Sequence, residues 1–122
     1  MKKTAILALT LLATQAASAM STAPYLTCTF TEPFITLKLQ VVNGKYETVR
    51  EINPEDQPGT LYKIGSRENF GSVMILTYSD KILKVDFMKD GSDGMSDKIY
   101  SAEGILNPGD NQLYGGCELT PN

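Results

Sequence analysis

The chain contains no histidine and no tryptophan, only two cysteines, and fewer basic than acidic residues, 11 against 14. Each shortage excludes a class of chemistry. Without histidine there is no Ser–His or Cys–His nucleophile pair, no imidazole general base and no His-containing zinc site. Two cysteines cannot by themselves complete a structural zinc site or an iron–sulfur cluster. A net charge of −3 without a basic cluster offers nothing to hold a phosphate backbone, so nucleic acid is not an expected partner. No apolar run approaches the ~20 residues that a membrane-spanning helix needs. What is present, 122 residues, suits one domain.

Residues 1–19 read MKKTAILALTLLATQAASA. A positive start (Lys2, Lys3), an apolar run (Ala5 to Ala13) and a small-residue cleavage site (Ala17-Ser18-Ala19) follow in the order of a secretory signal peptide. The lysine-led form is bacterial in style, so the expected destination is the periplasm or the medium. The mature chain then begins at Met20, and residues 20–122 form a single domain. Losing two lysines leaves nine basic residues against 14 acidic ones, a net charge of −5.

Export changes the reading of the cysteines. An oxidising compartment favours a Cys28–Cys117 disulfide, joining positions 89 apart. Closing so long a loop stabilises a fold by about 4 kcal/mol in the chain-entropy picture. Free thiols are the alternative, but no CxxC spacing or partner base supports a reactive role.

Beyond the leader, apolar residues alternate with period two, and turn residues recur every eight to twelve positions. From Phe34 to Val42, Ile35, Leu37, Leu39 and Val41 share one face while Thr36, Lys38 and Gln40 share the other. Asn43-Gly44 is a strong hairpin signal, since both residues tolerate positive φ. The expected strands run from Tyr25 to Phe30, Phe34 to Val42, Lys45 to Ile52, Thr60 to Ile64, Ser72 to Tyr78, Lys81 to Met88, Lys98 to Leu106 and Gln112 to Leu119. Asn53 to Gly59, with two prolines and a glycine, reads as a loop. Gly65 to Gly71 reads as a polar connection. Eight short strands with hairpin-length links predict an all-β antiparallel barrel, with a β-sandwich as the alternative. A barrel removes exposed sheet edges.

Three stretches are candidates for function. The loop Lys89 to Asp97 places Asp90, Asp93 and Asp97 beside Gly91 and Gly94, oxygen ligands of the kind calcium takes, although it lacks the EF-hand spacing. The same aspartates suit local bonds to turn N–H groups, which is the favoured reading. Glu32-Pro33-Phe34 reads as a bend leading into a strand, with Glu32 extended before proline and Phe34 capping the interior. A glycosidase role for Glu32 would need a second carboxylate across a cleft. Six tyrosines are expected in the core with hydroxyls at its rim, and Phe70 could be presented to a partner.

Glu32-Pro33-Phe34, the string Asp93-Gly94-Met95-Ser96-Asp97-Lys98-Ile99-Tyr100 and the late Gly116-Cys117 together resemble a group of uncharacterised bacterial envelope proteins. That group carries E-P-F-W early, D-G-M-S-D-x-x-Y later and a closing G-C. Ile35 stands where the group has tryptophan, and Gly91-Ser92 where it has a cysteine, so the disulfide expectation rests on the cysteine count alone. A weaker likeness is to the periplasmic inhibitors of c-type lysozyme, small disulfide-tied barrels, with Ser96 to Tyr100 echoing their S-x-S-G-x-x-Y stretch. That likeness implies a lysozyme partner, which an acidic domain would attract.

The expectation is therefore a non-enzymatic exported binding or inhibitor module, with no catalytic residue, metal or cofactor assigned. Two alternatives stay open: a glycan hydrolase using Glu32 with Asp90, Asp93 or Asp97, and a calcium-binding module built on the acidic loop.

Overall fold

The computed structural model describes residues 24–42, 46–109 and 111–120. The signal-peptide segment and the Asn43-Gly44 turn lie outside the described residues. Eight strands follow in chain order: β1 (Pro24–Phe30), β2 (Ile35–Val42), β3 (Tyr46–Asn53), β4 (Asp56–Phe70), β5 (Val73–Tyr78), β6 (Lys81–Asp86), β7 (Ala102–Leu106) and β8 (Leu113–Leu119). Each pairs antiparallel with the next, and β8 pairs back onto β1 to close a barrel. No helix occurs among the described residues, and so none long and apolar enough to cross a membrane.

The period-two pattern explains the core. Leu26, Cys28 and Phe30 of β1 point inward, meeting Leu37 and Leu39 of β2, Val49 of β3 and the alternate residues of β5 and β6. An eight-stranded barrel leaves an interior that side chains just fill, and each fully buried aliphatic side chain contributes about 1.5–3 kcal/mol. Cys28 and Cys117 sit directly opposite each other on β1 and β8 and form the disulfide, so the bridge staples the closing seam. Space for it comes from glycine. Gly104 faces Gly115 across β7 and β8; a Cβ on Gly104 would lie 2.7 Å from Cys117 Sγ, and one on Gly115 2.6 Å from the Phe30 ring.

Both barrel ends are sealed by a tyrosine, a glutamate and a cation. At one end Tyr25 donates to Glu47 Oε2 (2.6 Å) and Arg67 to Glu47 Oε1 (2.5 Å). At the other, Tyr78 and Lys81 donate to Glu51 Oε1 at 2.9 and 2.6 Å. Burial, then the adjacent carboxylate, pushes both phenols above the ordinary tyrosine range. These two tyrosines place their hydroxyls at the rim as expected; Tyr114, 57% exposed, and Tyr100, packed on the outside of β8, do not.

The strand boundaries differ from the sequence reading in three places. Asn53 to Gly59 is not a loop: only Pro54 and Glu55 turn, and β4 already starts at Asp56. The prolines act more locally, because the β3–β4 ladder skips from Glu51↔Thr60 to Asn53↔Asp56 and Gln57 to Gly59 bulge out of it. Gly65 to Phe70 is the second half of the same strand, paired with β5 alone. It carries no apolar alternation because it is exposed throughout. Finally, Lys98 to Ser101 belong to the β6–β7 connection, with β7 beginning at Ala102.

Candidate functional site: a clasped loop on the outer wall

The 15 residues between β6 and β7 do not hang free; they fold back over the outer face of β8. Gly91 and Tyr100 exchange two backbone hydrogen bonds (3.0 and 2.9 Å), which closes the loop at its base. The Tyr100 ring then packs against Gly116, where a Cβ would come within 2.3 Å of ring atom Cγ. Only a residue without a side chain admits that contact.

Asp93 anchors the loop's tip. Its Oδ1 accepts from the N–H groups of Met95 and Ser96, both at 2.8 Å, and its Oδ2 from the Ser96 hydroxyl (2.8 Å) and the Tyr100 hydroxyl (3.0 Å). It is 5% exposed. The backbone N–H donors, followed by the hydroxyls, hold its carboxyl well below the usual carboxylate range. Gly94 adopts φ +80 and sits against the Thr31 hydroxyl of the β1–β2 turn. Lys98 lies 4.7 Å above the Tyr100 ring centroid and donates to Glu118 at 2.9 Å.

Two of the three strings singled out in the sequence therefore meet directly, and the third abuts them. Asp93 to Tyr100 packs on Gly116-Cys117, and Thr31 brings the start of Glu32-Pro33-Phe34 against Gly94. What they form is a satisfied structural clasp. With both carboxylate oxygens of Asp93 bonded, a proton-transfer role for it has no support. Among the described residues no group of three or more Cys, Asp or Glu side chains is placed to hold a metal ion.

Glu32 departs from its expected conformation. It is exposed and left-handed at φ 56 rather than extended, in a turn spanning Thr31 to Phe34. Phe34 does not cap the interior either. It is 49% exposed, and Ile35, in register with Leu37 and Leu39, packs against the core in its place. Phe70 is exposed, at the end of β4.

The clasp presents a surface. Met95 and Ile99 stand 63% and 72% exposed on the immobilised loop, and Tyr114 of β8 is 57% exposed. Beside them runs a groove of about 410 Å³ whose lining includes Asp90, Asp97, Lys98, Ile99, Glu103 and Tyr114. Three carboxylates there face one lysine, itself paired with Glu118. Sequence reasoning missed the Tyr100–Gly116 contact because Tyr100 was assigned to a strand. No family model, curated protein or solved structure matches the chain.

Proposed function

We propose that the protein is an exported, non-enzymatic binding module of the bacterial periplasm or medium, and that the β6–β7 loop docks a basic protein. One observation carries this reading: exposed apolar side chains are presented by a loop whose own backbone is tightly fixed. Ordering a mobile loop and its side chains opposes association. Here Asp93 and Tyr100 have already ordered it, so Met95, Ile99 and Tyr114 can engage a partner at little further entropic cost. Methionine and tyrosine are residue types enriched in interface cores. The flanking Asp90, Asp97 and Glu103 would steer a cationic partner and disfavour an acidic one. The Cys28–Cys117 bridge is consistent with an oxidising compartment.

A c-type lysozyme is the first basic partner to test, given the sequence likeness to its periplasmic inhibitors. Calorimetric titration of the oxidised protein with a c-type lysozyme should show saturable binding. Replacing Ile99 and Met95 by serine should weaken it at least tenfold, and Asp97→Asn should slow association with a shallower salt dependence. Absence of binding removes lysozyme as the partner. Binding that the Ile99 and Met95 replacements leave intact removes this loop as the site.

A further inference from the structure

A second groove, of about 480 Å³, opens at the barrel end where the β1–β2 and β3–β4 turns meet the start of β6. We propose that it binds a neutral saccharide, independently of the loop surface on the outer wall. Its volume falls in the range of small-molecule sites, which occur in the mouths of β-barrels.

The lining splits into an apolar wall and a fixed polar floor. Phe34, half exposed, forms the wall together with Pro33, Ile35 and Pro54. The prolines limit how far that wall can collapse. Glu51 and Lys81 supply the floor. Glu51 Oε1 accepts from both Tyr78 and Lys81, which locks the carboxylate, while Oε2 takes neither bond. Asn53 also lines the groove, with its Oδ1 accepting from the Glu55 N–H at 3.2 Å, which orients the amide and leaves its NH₂ to donate.

This arrangement selects among ligand classes. An anion would meet Glu51 and Glu55 against a single lysine already paired with Glu51. A compact cation at Glu51 would compete with the Lys81 ammonium that already lies 2.6 Å from Oε1. A purely apolar ligand would strip water from the carboxylate and ammonium without replacing its hydrogen bonds. A pyranose ring avoids all three conflicts. Its C–H face can lie on Phe34, and its hydroxyls both donate to Glu51 and Glu55 and accept from Lys81 and Asn53.

The test is a titration of the ¹⁵N-labelled, disulfide-intact protein with cellobiose and with N,N′-diacetylchitobiose, each to about 10 mM, a level that reveals even millimolar affinity. The expected result is saturable shifts of the amides of residues 34–35, 51–53, 55 and 81 with at least one of them. Phe34→Ala, at a half-exposed position outside the core, should keep the melting temperature and weaken binding at least tenfold. No saturable shift at those amides with either sugar overturns the proposal, as do shifts that Phe34→Ala leaves unchanged. Neither result bears on the Met95 and Ile99 surface, so this site and the docking loop stand or fall separately.

Discussion

Replacing Gly116 by alanine adds one methyl group and should do far more damage than its size suggests. The three atoms nearest to that methyl all belong to Tyr100, at 2.3, 2.4 and 2.7 Å, so the ring must leave. A buried tyrosine covers roughly 150 Å² or more, worth about 4 kcal/mol at ~25 cal/mol per Å². A displaced ring keeps part of that contact, which places the expected loss at about 2–3 kcal/mol. The Asp93–Tyr100 bond goes with it. Gly71→Ala is the control: nothing lies within 4 Å of its Cβ, and only its φ of +60 opposes alanine, at about 1 kcal/mol. Urea unfolding of wild type, G116A, Y100A and the double variant closes a thermodynamic cycle. If the ring is the cause, G116A costs about 1–3 kcal/mol less in the Y100A background, where only the Cβ at 2.7 Å remains to be accommodated. Equal costs in both backgrounds would refute the stacking argument.

Two further outcomes follow from the same structure. The Asp93 carboxyl is depressed in the folded state, so its contribution is complete at neutral pH and drains away as pH falls below the ordinary carboxylate value near 4. Asp93→Asn should therefore be less stable at pH 7 and lose less urea resistance between pH 5 and pH 2; parallel pH profiles for the two proteins would contradict this. Reducing Cys28–Cys117 should remove about 4 kcal/mol by lengthening the unfolded chain's freedom, a fall of roughly 15–30 °C in melting temperature by calorimetry. A shift of only a few degrees would show that the seam holds without its staple.

Much of the barrel was legible because its signals are local. The alternation of Ile35, Leu37 and Leu39 assigned the inward face of β2, although Val41, placed on the same face, is 37% exposed near the strand's end. The break expected between Leu106 and Gln112 does separate β7 from β8. The signal failed in β4, where Arg67, Glu68 and Asn69 form a strand exposed on both sides, so no apolar period marks it. It also failed at Tyr100. A ring packed on the outside of a strand obeys no period of its own strand, and the glycine that admits it is 16 positions away. Asp93 was easier, since its partners Met95 and Ser96 are close neighbours in the chain.

By itself, then, the order of side chains determined most of the strands, the inward face at the centre of β2 and that two cysteines were available to pair. These properties arise within a few residues, from φ/ψ preferences and the two-residue repeat of a strand. Only the tertiary structure decided that β8 returns to β1, that this brings Cys28 opposite Cys117, and that the β6–β7 loop is clamped to the outer wall. Those outcomes depend on contacts between distant segments, where burial and shape fit select the partner and local patterning carries no address.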